Sequence, residues 1–153
     1  METEKNQKKK PLIILTGPTA VGKTELSIAL AKAVNGSVIS ADSMQVYRGM
    51  DIGSAKITPE EMQGIPHYLV DILEPDEEFH VVRFQELAKQ AMQEIYESGR
   101  IPIVTGGTGF YIQALLYDID FTSQDEDSAL REQYAVEARE KGAHFLHEKL
   151  REV

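Results

Sequence analysis

An α/β domain with a mainly parallel sheet is the fold class that the sequence predicts, on two observations. Short apolar runs of strand length alternate with helical stretches from Pro11 to Asp118. A glycine-containing turn joins the first such run to the first helix. The chain has 153 residues, 42% hydrophobic and 27% charged, an ordinary globular composition that excludes wholesale disorder. That length suits one domain, which buries roughly 70% of its unfolded surface on folding.

The elements follow in order. Residues 1–10 read as a flexible, charged tail. Leu12 to Thr16 is a buried strand, and Gly17 to Lys23 a loop. A helix over 23–34 carries Leu26, Leu30 and Val34 at four-residue spacing and stops at Asn35-Gly36. Ser37 to Ala41 is a second strand, and 42–67 is irregular, broken by glycine and proline. Within it, Thr58-Pro59-Glu60-Glu61 has the form of a capping box with proline at the first helical position. Tyr68 to Leu73 reads as another strand. A helix over about 81–97 gathers Phe84, Leu87, Ala88, Ala91, Met92 and Ile95 on one face and ends at Ser98-Gly99. Ile101 to Thr105 is a strand. Gly106-Gly107-Thr108-Gly109 then leads into a helix through Tyr117, on which Phe110 and Tyr111 are expected to pack. After Asp118 the composition becomes charged and helix-prone, and 125–153 reads as two helices broken near Gly142. Leu150 is followed by no closing cap, so the chain is expected to stop inside an element, as one part of a larger protein.

Charge and composition narrow the classes of function. The net charge is −9, and the chain has no cysteine, which removes disulfides, thiolate metal sites and cysteine nucleophiles. No run is long enough for a membrane span or a signal-peptide core. A soluble, cytoplasmic protein with no membrane partner is expected. Residues 11–120 carry seven basic and fifteen acidic side chains, so the bulk basic footprint of a nucleic-acid reader is missing. Lys8-Lys9-Lys10 could touch phosphates, but such a run is usually a solvated arm.

Specific residues point further. Gly17-Pro18-Thr19-Ala20-Val21-Gly22-Lys23-Thr24 matches the G-x-x-x-x-G-K-[ST] phosphate-binding loop, with an apolar strand before it and a helix after it. Its glycines let backbone N–H groups wrap a phosphate at the positive end of the helix. Lys23 can reach terminal phosphate oxygens, and the Thr24 hydroxyl can ligate Mg²⁺. Asp42 follows the second strand, beyond whose carboxyl end ligands of open parallel sheets bind. It could hold Mg²⁺, take a proton from a nucleophile, or simply cap a turn, with Ser43 and Gln45 as polar loop residues. The glycines at 106, 107 and 109 allow either close approach to a ligand or a tight turn with positive φ. His144 and His147 share a helix face at i, i+3 with no third metal ligand nearby, which favours a solvated face. His67 and His80 are isolated.

Four stretches together resemble one family. They are Gly17–Thr24; Ile39-Ser40-Ala41-Asp42-Ser43-Met44-Gln45-Val46-Tyr47 with its continuation to Lys56; Pro66-His67-Tyr68-Leu69-Val70-Asp71; and Val104-Thr105-Gly106-Gly107-Thr108-Gly109-Phe110-Tyr111. In order and in register they resemble the tRNA dimethylallyltransferases, also called tRNA isopentenyltransferases, from about residue 11 to 118 and less distinctly to 153. The resemblance implies a P-loop NTPase-like, three-layer core over 11–118 and the start of a helical tRNA-binding insertion over 119–153. It implies transfer of a dimethylallyl group from dimethylallyl pyrophosphate to N6 of the adenosine beside the tRNA anticodon, assisted by Mg²⁺. Thr19 to Thr24 would hold the pyrophosphate, Asp42 would accept the amine proton, and Asp42, Ser43, Met44, Gln45 and Thr108 would contact the tRNA. A monomer is expected.

Family members are about twice this long, so the chain is expected to keep the pyrophosphate site with weak or no transfer to tRNA. Three rivals remain open at this point. A small P-loop kinase would prefer ATP to dimethylallyl pyrophosphate. An adenylate isopentenyltransferase would prenylate free nucleotide. A binding module would hold a phosphate ligand without turnover.

Overall fold

The computed structural model describes residues 9–121 and 128–152. Most of the lysine-rich tail and the segment leading into the C-terminal helices therefore lie outside the described residues. Two compact units result, Met1–Ile119 and Asp120–Val153.

The first unit is a three-layer sandwich around a four-stranded sheet. Its strands are β1 (Ile13–Thr16), β2 (Gly36–Ser40), β3 (His67–Tyr68) and β4 (Ile101–Gly106), in the order β1-β4-β2-β3. Every pairing is parallel, with Ile13 opposite Ile103, Val38 opposite Ile103, and Val38 opposite His67. Parallel strands need crossovers, and helices supply them. Helix α1 (Lys23–Val34) joins β1 to β2; a short α2 (Pro59–Met62) lies between β2 and β3; α3 (Val81–Glu97) joins β3 to β4; and α4 (Gly109–Leu116) follows β4.

Alternation along the strands sorts the core into two faces. Val38 and Ile103 point to the α1 side, where they meet Ala31, with Ile13, Leu30, Val34 and Ile65 packed around them. Ile39, Ala41 and Val104 point to the other side, against Phe84, Ala88, Ala91 and Ile95 of α3 and Tyr111, Ile112 and Leu115 of α4. Full burial of side chains such as Phe84 and Ile95 stabilises by about 1.5–3 kcal/mol each. The Tyr111 ring stacks on Phe84 with centroids 4.7 Å apart and meets Phe79 edge-on at 5.6 Å. Its phenol is pushed up by burial and then by Tyr47 and the Asp42 carboxylate, so α4 lies within electrostatic reach of Asp42, just beyond the end of β2.

The local signals explain the element ends. Asn35, in the left-handed region at φ 53°, closes α1 and donates its N–H to the Ala31 carbonyl. The capping box of α2 is complete, with the Thr58 hydroxyl accepting from Glu61 N and the Glu61 carboxylate accepting from Thr58 N at 2.8 Å. Helix α3 begins and ends close to where its apolar face predicts, and His80 caps it through Nδ1.

Three expectations are corrected. The strand expected over 68–73 is only His67–Tyr68, because Leu69 and Asp71 take positive φ and turn the chain out of the ladder; a single parallel bridge pairs Leu73 with Tyr47. Helix α1 does not bury its whole Leu26–Leu30–Val34 stripe: Leu26 is 52% exposed, and Ser27, Ile28 and Ala31 are the buried positions. Four-residue spacing drifts around a helix of 3.6 residues per turn, and a Ser at 27 hides the true face. Phe110, expected to pack α4, is 54% exposed, while Tyr111 is buried.

The second unit is a pair of helices, α5 (Ser128–Lys141) and α6 (Ala143–Arg151), broken at Gly142 with φ 81°. Lys149 of α6 donates to Glu137 of α5 at 3.1 Å and sits over the Tyr134 ring. Among the described residues no cluster of three or more His, Asp or Glu able to hold a metal ion occurs, around the His144–His147 pair or elsewhere. No helix among them is long and apolar enough to cross a membrane.

Candidate functional site

The loop after β1 is shaped by its backbone. Gly22, at φ 83° and ψ 20°, takes the N-cap position of α1 in the left-handed region. An added Cβ there would meet nothing within 4 Å, so the need for glycine is conformational. Gly17 is also at positive φ, and Ala20 takes φ 62°, a conformation that a residue with a Cβ rarely adopts. The turn ends at the positive end of α1. There the Lys23 ammonium folds back and donates to the carbonyls of Gly17, at 2.9 Å, and Pro18. An incoming phosphate would compete for those protons with charge-assisted bonds roughly twice as strong as neutral ones.

Asp42 is held at the end of β2 by a different device. Its Oδ1 accepts from Met44 N at 2.7 Å and Gln45 N at 3.1 Å, so the turn-capping geometry is real. Oδ2 makes no hydrogen bond among the described residues. Gln45 in turn donates Nε2 to the carbonyls of Ser54 and Ala55, at 3.4 and 3.2 Å.

These parts face one cleft of about 350 Å³. Thr19, Ala20, Gly22, Lys23 and Thr24 line it from the loop, and Asp42 and Gln45 from the turn after β2. Val38, Ser40, His67, Thr105 and Gly106 come from the sheet, Gly107 from the turn after β4, Ser27 from α1, and Ser54, Ala55, Ile57 and Val70 complete the lining. Lys23 and Asp42 are the charged side chains of the lining, one cation and one anion in one cleft. Of the residues singled out in the sequence, Gly17, Pro18, Val21, Ser43, Met44 and Thr108 do not line it. Ser43 and Met44 stand exposed, and Thr108 starts α4, with its N–H donated to the Ala41 carbonyl at 3.3 Å.

The glycine-rich turn after β4 is not the tight turn with positive φ, and two of its glycines, Gly106 and Gly107, line the cleft. None of Gly106, Gly107 and Gly109 has positive φ. Gly106 instead makes room: a Cβ there would fall 2.3 Å from the Ala41 carbonyl oxygen. The end of β2 and β4 are clamped at this point by Ala41 N donating to the Thr105 carbonyl at 2.7 Å.

His67 was not legible as a site residue in the isolated-histidine pattern. Its Nδ1 lies 2.8 Å from the Ile65 carbonyl, and that bond fixes the tautomer with Nδ1–H donating. Nε2 is buried with no partner among the described residues. Burial pushes the imidazole below its usual range, against a smaller upward pull from the Ile65 carbonyl. The folded protein thus binds fewer protons here than the unfolded chain, and stability is lost as pH falls through the unfolded value of about 6.5. The melting temperature is expected to drop between pH 7 and 5, with a shallower slope in His67→Gln. An equal slope in both proteins, read by thermal melts across that window, would assign the effect elsewhere.

Comparison with known proteins places this geometry. The family model for IPP transferase matches residues 45–153. A tRNA dimethylallyltransferase from Lachnoclostridium phytofermentans is 64% identical over 142 residues, which are 93% of this chain and 45% of that protein. One from Bacillus subtilis is 52% identical over 145 residues, 95% of this chain and 46% of that protein. Among solved structures, the full-length tRNA isopentenylpyrophosphate transferase of Bacillus halodurans superposes with a TM-score of 0.74 at 50% identity, covering 93% of this chain and 47% of that one. A eukaryotic dimethylallyltransferase captured acting on tRNA gives 0.68 at 43% identity, covering 70% of this chain and 27% of that one. The chain spans just under half the length of the curated relatives it matches. With a P-loop NTPase-like core, a G-x-x-x-x-G-K-[ST] loop and a carboxylate on one cleft, and a family model covering most of its length, the chain belongs to the IPP transferase family.

Proposed function

We propose that the protein transfers a dimethylallyl group from dimethylallyl pyrophosphate to N6 of the adenosine beside the anticodon of tRNA. The observation that carries this reading is the joint lining of one cleft by the loop Thr19–Thr24 and by Asp42 and Gln45, in a chain of this family. A phosphate cradle alone would serve a kinase equally well. A carboxylate facing the same space is what an amine nucleophile requires.

The chemistry follows from those groups. The C–O bond between the allylic carbon and the pyrophosphate breaks, and the pyrophosphate leaves with the electron pair. The transition state is charge-separated, so donors aimed at the leaving oxygens lower its energy. Lys23 and the loop N–H groups at the start of α1 supply them. The N6 lone pair forms the new C–N bond, and Asp42 takes the proton released from N6. The amide donors on Oδ1 hold the carboxylate in place and leave Oδ2 to receive that proton. The base must leave its stack to reach the cleft.

The residues present suit Mg²⁺, which prefers hard oxygen ligands. The Thr24 hydroxyl, which makes no hydrogen bond among the described residues, and the Asp42 carboxylate line the same space. The ion would neutralise charge developing on the pyrophosphate. Gly17, Pro18 and Val21 then shape the loop rather than touch the donor, and Ser43, Met44 and Thr108 stand outside the cleft, where a flanking nucleotide of the tRNA would lie. A monomeric, cytoplasmic protein fits this role.

Calorimetric titration with dimethylallyl pyrophosphate and with ATP, each with Mg²⁺, tests the reading at its donor site. Dimethylallyl pyrophosphate is expected to bind at least tenfold tighter. Tighter binding of ATP would move the protein to the kinases. Lys23→Ala removes a charge-assisted contact worth about 1.5–3 kcal/mol and is expected to weaken the donor roughly 10- to 100-fold. Unchanged affinity would take Lys23 out of the site.

A further inference from the structure

Part of the cleft lining comes from a long irregular segment, which is tied together by a buried lysine. Between Asp42 and Pro66 only the single turn of α2 is regular. Val46 and Ile57 are its buried apolar anchors. Beside Ile57 lies Lys56, whose side chain is only 4% exposed. A buried ammonium is costly unless every proton is taken. Here three protons meet three acceptors: the Tyr47 carbonyl, Asp51 Oδ1 at 2.7 Å and Asp71 Oδ1. Burial alone would pull the ammonium down, and the two carboxylates override it, leaving its pKa raised and the charge secure.

The three acceptors belong to three separate stretches: the turn after Asp42, the loop tip, and the segment after β3. More bonds converge on the same place. Asp71 N donates to the Gln45 carbonyl at 3.1 Å, and Arg48 Nε donates to the Asp71 carbonyl at 3.0 Å. Gln45 gives Nε2 to the Ser54 and Ala55 carbonyls, the two residues just before Lys56. Two carbonyl acceptors identify that end of the amide as NH₂ and leave Oε1 as an acceptor on a cleft-lining side chain. With its protons spent, Lys56 has none to offer a substrate.

We propose that Lys56 is a positioning residue for acceptor recognition: its three-way knot sets the Ser54–Ile57 wall so that Gln45 presents Oε1, a hydrogen-bond acceptor, to an incoming base that carries donors. This inference rests on the transferase reading above and deepens it. The donor loop at 17–24 shares none of these bonds, so the two halves of the cleft are separable by mutation.

Lys56→Met keeps the length and apolar stem and removes the charge. Asp51 and Asp71 are 65% and 51% exposed at their side chains, so each stays solvated without its partner, and the fold is expected to survive. The experiment measures transfer of dimethylallyl to an anticodon stem–loop by the protein at the length of its relatives, together with calorimetric binding of dimethylallyl pyrophosphate. Lys56→Met is expected to raise KM for the stem–loop about tenfold, the order expected for one lost hydrogen bond. kcat should stay within about threefold and donor binding within about twofold. Asp51→Asn, which leaves the Lys56 ammonium in place and replaces one carboxylate by an amide oxygen that can still accept, should raise KM less. In a Gln45→Ala background Lys56→Met should add less than twofold, because the knot then has nothing left to position. Equal loss of donor binding, full additivity with Gln45→Ala, or an unchanged KM overturns the inference while the transferase reading stands. Failure of the unsubstituted protein to modify any stem–loop overturns both.

Discussion

Asp42→Asn is expected to lower the rate of dimethylallyl transfer by roughly 10²- to 10⁴-fold, the range typical of a lost general base. The substitution is informative because of how Asp42 is held. Oδ1 accepts from Met44 N and Gln45 N, and the amide oxygen of Asn can accept both bonds in the same way. The turn after β2 should therefore keep its shape, and with it the Gln45 side chain. What changes is the second oxygen, which becomes an NH₂ that cannot take a proton. A single-turnover assay on a stem–loop, with the protein at the length of its relatives, reads the loss. Donor affinity measured beside it should move less than about threefold if Asp42 acts mainly as base. A large fall in donor affinity would instead make Asp42 a metal ligand. A rate within fivefold of the unsubstituted protein would leave only the turn-capping role that its hydrogen bonds already display.

The loop half of this cleft was legible in the chain as a motif, and the reasons are local. A phosphate loop is defined by spacing within eight residues, and the glycine at 22 needs positive φ whatever surrounds it. The capping box at Thr58–Glu61 and the face of α3 are equally local, the one set by side chain to backbone bonds and the other by periodicity. What escaped depends on contacts far apart in sequence. Nothing near Lys56 announces that Asp71, fifteen residues on, will share its buried charge. His67 becomes a cleft residue only because β3 pairs with β2 at Val38. The strand expected over 68–73 failed for a related reason. Leu69 and Leu73 are buried and Tyr68, Val70 and Ile72 half-buried, but Leu69 and Asp71 adopt left-handed backbone to meet the turn after Asp42, and tertiary bonds outweigh the strand pattern.

Gly106 shows the same gap between motif and cause, and it yields the second large effect. In the sequence it belongs to a glycine cluster that suggests a ligand. In the fold it lies at the last pair of the β1–β4 ladder, opposite Thr16, with the end of β2 pressed against its other side. A Cβ at 106 would sit 2.3, 2.6 and 3.0 Å from the carbonyl oxygen, carbonyl carbon and Cα of Ala41. All three are backbone atoms clamped by the Ala41 N to Thr105 O bond, so no rotamer change can relieve the clash. Overpacking of this kind costs about 1–3 kcal/mol or more. At about 2–4 °C per kcal/mol for a chain of this size, Gly106→Ala is expected to lower the melting temperature by roughly 5–10 °C. Whatever strain the fold absorbs instead must move Ala41, and Asp42 is the next residue, so donor-saturated transfer should fall further than the lost stability explains. Gly107→Ala is the control. Its Cβ meets nothing within 4 Å and its φ is not positive, so its melt should match the unsubstituted protein within about 1–2 °C, the effect of an ordinary exposed change. If the two variants melt alike, the close approach of β4 to Ala41 is not what glycine at 106 is for, and a direct contact between that backbone and a ligand becomes the better account of the turn.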